Sequence, residues 1–78
     1  MEVRIGIVHS MKELDVELPE DAEREKVLAD IEAALAADGS VLWLTDRKGR
    51  QVGVPVGMVA YVEVDPPASD RRVGFGIS

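Results

Sequence analysis

The chain has 78 residues and no cysteine, and its fifteen acidic against nine basic side chains give a formal charge of −6. A chain this short buries only about 60% of the surface its unfolded form exposes, and without cysteine it has neither disulfides nor thiolate metal sites to support a single small domain over 1–78. The acidic balance disfavours a phosphate-backbone binder, whose affinity comes from Lys and Arg.

Glu2-Val3-Arg4-Ile5-Gly6-Ile7-Val8 alternates, with Val3, Ile5 and Ile7 on one face. After His9-Ser10-Met11-Lys12, the stretch Glu13-Leu14-Asp15-Val16-Glu17-Leu18 alternates again. Setting Ile7 against Leu14, Ile5 against Val16 and Val3 against Leu18 gathers six apolar side chains on one face of an antiparallel hairpin. Arg4, Asp15 and Glu17 then face the other way. Pro19-Glu20-Asp21 is expected to open a helix, since Pro is tolerated in a first turn and acidic residues complement the positive end of the dipole. Val27, Leu28, Ile31, Ala34 and Leu35 recur at helical spacing as one apolar stripe. Glu20 and Arg24 form an i,i+4 pair on the outer side. The run Ala33-Ala34-Leu35-Ala36-Ala37 favours helix, and Gly39 after Asp38 is a fitting C-cap. Such a helix has about 18 residues and a length of about 27 Å.

Val41-Leu42-Trp43-Leu44-Thr45 and Gln51-Val52-Gly53-Val54 flank the polar turn Asp46-Arg47-Lys48-Gly49-Arg50. Asp-x-x-Gly suits a type I turn with Gly49 in the left-handed conformation, a three-residue loop closed by a bulge. If Asp46 faces Arg50, then Leu44 faces Val52 and Leu42 faces Val54, and all four fall on one face. Pro55-Val56-Gly57-Met58 breaks the ladder, and Val59-Ala60-Tyr61-Val62-Glu63-Val64 resumes as a strand. Asp65-Pro66-Pro67-Ala68-Ser69-Asp70 is a polar loop. Arg72-Val73-Gly74-Phe75-Gly76-Ile77 alternates once more, an edge strand weakened by its glycines. The class is α+β, in the order β-β-α-β-β-β, with one helix packed on one face of a mostly antiparallel sheet. Its opening hairpin followed by a helix resembles the start of ubiquitin-like β-grasp domains, a likeness of shape alone. A sulfur-carrier role does not follow, because such carriers resemble one another in a terminal Gly-Gly and this chain ends Gly74-Phe75-Gly76-Ile77-Ser78.

Four stretches together carry a wider resemblance: Met1-Glu2-Val3-Arg4-Ile5-Gly6-Ile7, Leu44-Thr45-Asp46-Arg47-Lys48-Gly49-Arg50, Val59-Ala60-Tyr61-Val62-Glu63-Val64, and Arg71-Arg72-Val73-Gly74-Phe75-Gly76. They resemble, across essentially the whole chain, short actinobacterial proteins grouped as a domain of unknown function. That resemblance implies no established activity. Some members bear an ATP-binding label, but a nucleotide site needs a glycine-rich phosphate cradle entering a helix. Here the segment before the helix, Glu17-Leu18-Pro19-Glu20-Asp21, is acidic and lacks glycine, so no cofactor is expected.

His9 is the sole histidine, and metal sites need several convergent ligands. Asp15 and Glu17 lie two apart on a strand face, as the wet side of a hairpin does. Ser10 and Ser40 have no general base beside them in sequence. These readings exclude an obvious enzyme. No apolar run approaches the roughly 20 residues that span a bilayer, and Met1-Glu2-Val3-Arg4 does not open a secretory signal; a cytoplasmic location is expected. Arg47, Lys48, Arg50, Arg71 and Arg72 are the basic clusters, a candidate anion or nucleic-acid contact if the last strand brings them together, or the ordinary charge of hairpin tips and edge strands.

Trp43 carries the sharper expectation. With Leu42 and Leu44 inward, Val41 and Trp43 point outward on the face the helix does not cover, and Tyr61 can join them. Such a face is an interaction surface, unless the C-terminal strand or the Pro66-Pro67 loop folds over it. The resulting expectation is a non-enzymatic module that binds a protein partner or itself as a homodimer, through Val41, Trp43 and Tyr61 with basic charge at the rim. The alternative is a weak nucleic-acid or nucleotide-phosphate binder using the basic residues.

Overall fold

The structure, a computed structural model, describes residues 1–66. The expected edge strand Arg72–Ile77, with Arg71 and Arg72, lies outside the described residues. Alternation of apolar and polar residues gives strands β1 (Glu2–Ile7), β2 (Glu13–Glu17), β3 (Val41–Thr45), β4 (Gln51–Pro55) and β5 (Val59–Val64), with one helix, α1 (Arg24–Ala36), between β2 and β3. The fold is α+β in the order β-β-α-β-β-β, as the patterning predicts. All strand pairs are antiparallel. Hydrogen bonding divides them into a three-stranded ladder, β2-β1-β5, and a two-stranded one, β3-β4. Pro55 ends β4, and a 3-10 turn at Val56–Met58 carries the chain from one ladder to the other.

The β3–β4 register is the one that the turn chemistry predicts: Leu42 opposite Val54, Leu44 opposite Val52 and Trp43 opposite Gly53. Gly49 sits at φ 88°, and its N–H donates to the Asp46 carbonyl at 2.9 Å. The β1–β2 register differs from the expected one by two residues. Ile5 faces Leu14 and Val3 faces Val16, while the Leu18 N–H reaches the Met1 carbonyl at 2.9 Å. The cause lies in the connection. His9 adopts φ 58°, the Lys12 N–H donates to Ser10 Oγ, and Ile7 pairs across a bulge with Val59 of β5 instead of with β2. A slip of two keeps every side chain on its own face, so Val3, Ile5, Val16 and Leu18 are still buried.

The helix starts later than the Pro19 expected from the sequence. Pro19 to Ala22 forms a turn, closed by the Ala22 N–H on the Pro19 carbonyl at 3.1 Å. The first helical bond is Val27 N–H to the Glu23 carbonyl. Burial of Leu18 explains the delay, since the chain must bend sharply after the strand to bring α1 over the sheet. Glu23 makes no side-chain cap. Glu20 therefore lies outside the helix, and the expected pair with Arg24 gives way to an Arg24 Nε bond to the Asp65 carbonyl at 2.8 Å. Thirteen residues make a helix about 20 Å long. At its other end the cap residue is Ala37, and Gly39, at φ 74°, turns the chain two residues later. Ser40 Oγ donates to the Ala34 carbonyl at 2.9 Å, satisfying one of the carbonyls a helix end leaves open.

The core joins both ladders to the helix: Val3, Ile5, Val16 and Leu18 from the first, Leu42, Leu44 and Val54 from the second, and Ile31 from α1. Val27 and Ala34 pack beside it. The apolar stripe is thus split, because Leu28 and Leu35 face a groove against Val62 and Val64 instead. Two stability predictions follow from this packing. Leu42→Ala, at a site 2% exposed, costs about 2–5 kcal/mol. Gly49→Ala costs roughly 1–2 kcal/mol through its left-handed backbone. Both are read from urea midpoints at unchanged m-value.

Candidate interaction surface

Val41 and Trp43 lie on the outer face of β3, 38% and 62% exposed. Gly53 stands directly opposite Trp43, and the indole lies across it. A Cβ built at Gly53 would fall 2.6 Å from the ring. The missing side chain is what lets a large ring lie flat on the ladder. Beyond the β3 edge an open groove of about 230 Å³ is lined by Trp43, Leu44 and Thr45 on one side and by Leu18, Pro19, Ala22, Val27 and Asp30 on the other. Trp43 forms one wall of it. The late start of α1 is what leaves Pro19 and Ala22 as the opposite wall.

Tyr61 belongs to the other ladder. It lies opposite Gly6 and over it, with a Cβ at Gly6 clashing against its ring. Its hydroxyl donates to Glu13 Oε2. That bond holds the phenol protonated beyond its ordinary 10.0, aided by burial and by the charges of Glu13 and Glu63, with Arg4 opposing. No ladder or side-chain hydrogen bond among the described residues joins Tyr61 to Trp43. Its surroundings are acidic, since the outer face of β2-β1-β5 presents Glu2, Glu13, Asp15, Glu17 and Glu63. Arg4 bonds Glu2 at 2.7 Å and Glu63 at 3.2 Å and lies 3.7 Å from Asp65. The Met1 ammonium pairs with Glu17 at 3.0 Å.

The basic turn is built around a buried carboxylate. Asp46 is 5% exposed. Its Oδ1 accepts the Lys48 and Arg50 N–H groups at 2.9 and 2.8 Å, and its Oδ2 accepts Arg50 Nε at 2.7 Å. Burial alone would raise its pKa. The side-chain bond from Arg50, the two backbone bonds and the guanidinium charge outweigh burial and hold it below the ordinary 3.8. Arg50 is therefore engaged by Asp46 while its side chain stays 77% exposed, and Arg47 and Lys48 are exposed beside it at the tip. The Arg47 N–H in turn donates to the Glu17 carbonyl at 2.8 Å, pinning the tip to the end of β2.

His9 is exposed in the β1–β2 connection, and Ser10 serves as a turn acceptor for Lys12. Ser40 is taken up in capping the helix. Among the described residues, no group of three or more His, Cys, Asp or Glu is placed to hold a metal ion, and no helix is long and apolar enough to cross a membrane. Sequence reasoning missed the burial of Asp46 and the two glycines beneath aromatic rings. A glycine opposite Trp43 in the register was the available signal for the second.

A family model described as a protein of unknown function, DUF3107, matches residues 1–76. No curated protein matches the chain.

Two predictions follow from this geometry. Trp43 is the single tryptophan, so Gly53→Ala, which forces the indole off the ladder, is expected to shift its emission to the red while leaving far-UV circular dichroism unchanged. Because the Asp46 pKa is depressed by folding, its stabilisation is fully present above the unfolded value of 3.8 and is lost as pH falls through the lower folded value. A pH series of thermal melts is expected to show this loss, with Asp46→Asn lowering the midpoint at neutral pH and flattening the acid limb.

Proposed function

The chain belongs to the DUF3107 family, whose function is unknown, and we propose from its own surface that it is a non-catalytic protein-interaction module. The observation that carries this reading is the 62% exposure of Trp43, held flat on Gly53 at the lip of an apolar groove. Tryptophan brings a large contact area and few rotamers, and it is enriched at interface centres. Val41 extends the patch along β3. Arg47 and Lys48 supply charge at its rim, while Tyr61 contributes a separate, acid-flanked contact on the other ladder.

A second copy of the chain is the simplest partner, since association adds buried area that a 78-residue chain lacks. Service as an accessory subunit to a different protein uses the same face. Contact with a nucleic-acid or nucleotide phosphate has less support. Arg50 is paired with Asp46, and the neighbouring ladder presents carboxylates, which repel phosphate.

The test is solution mass by light scattering at low and high salt, for the wild type, Trp43→Ala and Val41→Glu. A wild-type dimer insensitive to salt, reduced to a monomer in both variants with circular dichroism unchanged, is the expected result. A monomer under every condition overturns self-association. Binding of an oligonucleotide that weakens steeply with salt and is lost in Arg47→Ala moves the function to the basic tip.

A further inference from the structure

Each ladder has an outward face, and the two faces differ in charge. On β2-β1-β5 the register sends Glu2, Glu13, Asp15, Glu17 and Glu63 outward together with Arg4. On β3-β4 the outward pairs are Val41 with Pro55, Trp43 with Gly53 and Thr45 with Gln51, and all six residues are exposed. None of the six carries a charge, in a chain of which 31% is charged. A strand face that meets only water is ordinarily polar, whereas the centre of an interface is depleted of charge and enriched in aromatic residues. Trp43 with Gly53 is the middle pair of the three. The indole lies across Gly53, so one ring covers both strands at the centre. The resulting low surface has the form that packs against another sheet about 10 Å away.

Charge also selects what packs there. The chain carries −6, so two copies repel wherever they present that excess to each other. A strongly acidic or basic partner finds no charge to pair with on the β3-β4 face. A copy of the same face meets it with neither a like-signed nor an unpaired charge. We propose that the occupant is a second copy of this chain, with the outer faces of the two β3-β4 ladders stacked about a two-fold axis that passes the Trp43–Gly53 pair. The contact is isologous, and each indole lies against the Trp43–Gly53 pair of the other copy. This inference rests on the reading of Trp43 as an interaction residue and deepens it. It brings β4 into the contact through Gln51 and Pro55, and it leaves the groove beyond β3 outside.

Two strands of five residues span a footprint of about 17 by 10 Å, well below the roughly 800 Å² per partner of a standard interface. The association is therefore reversible, with dissociation at about micromolar concentration.

The single tryptophan sits in the contact and reports it. Solution mass and emission are followed together through a dilution series, with far-UV circular dichroism to show that each variant folds. The wild type is expected to be a dimer with blue-shifted emission when concentrated, and to shift to the red as mass falls on dilution. Gln51→Lys and Gln51→Glu each bury a charge in the contact and are expected to weaken association roughly tenfold whatever the sign. Gln51→Ser, and Asp30→Lys on the wall of the neighbouring groove, are expected to leave it unchanged. A dimer broken by Asp30→Lys but not by the charged Gln51 variants overturns this inference and leaves the Trp43 reading standing, since the contact is then the groove. A dimer that survives Trp43→Ala overturns both. A monomer at every concentration excludes a second copy: red emission then assigns the face to a different molecule, and blue emission shows the ring covered within its own chain, which removes the Trp43 reading as well.

Discussion

The carboxylate of Asp46 is the constraint on which the arrangement of this small fold depends. By accepting from two backbone N–H groups and one guanidinium, it fixes the loop length of the β3–β4 hairpin. Loop length sets register, and register sends Leu42, Leu44 and Val54 inward together. The same turn orients the Arg47 N–H toward the Glu17 carbonyl. That bond ties the tip of the two-stranded ladder to the end of β2 in the three-stranded one. A misformed turn therefore loses both the inner face of the hairpin and its attachment. Nothing in the core compensates, because the core is assembled from both ladders.

What was legible in the sequence was whatever depends on periodicity and local chemistry. The Asp-x-x-Gly turn specified the second hairpin to the residue. The first hairpin has no comparable turn signal, and a five-residue connection with His9 at positive φ moved the pairing by two. The faces survived because strand periodicity is two. The helix start was misread for a nonlocal reason: Pro19-Glu20-Asp21 has the composition of a first turn, yet burial of Leu18 requires those residues to bend the chain instead. Exposure of Val41 and Trp43 followed from alternation alone. The separation of Tyr61 from them did not, because local pattern does not specify which strands share a ladder.

The two grooves arise from one mismatch. A helix of thirteen residues carries an apolar stripe wider than the surface it covers. Ile31, Val27 and Ala34 are used in joining the ladders, which leaves Leu28 and Leu35 over β5 and the bend at Pro19–Ala22 facing Trp43. One groove thus runs along α1 from Glu25 to Leu35 beside β5, and the other sets the bend at Pro19–Ala22 and the first half of α1 against β3. In a chain with so small a core, apolar surface left in such grooves is a large share of the whole, and its burial by another segment or another molecule bears directly on stability.

Hairpin tips are the usual places to lengthen a protein or attach a label, because they are exposed and loosely held. Here that expectation is inverted. The tip at Asp46–Arg50 is tied to its own buried carboxylate and to the end of β2, so added residues there break the register and the attachment together. The connection at Ser10–Lys12, where Met11 is fully exposed, has no such ties beyond one local turn bond. An affinity tag or a fluorophore belongs in that connection, at the opposite end of β2 from the tip's anchor.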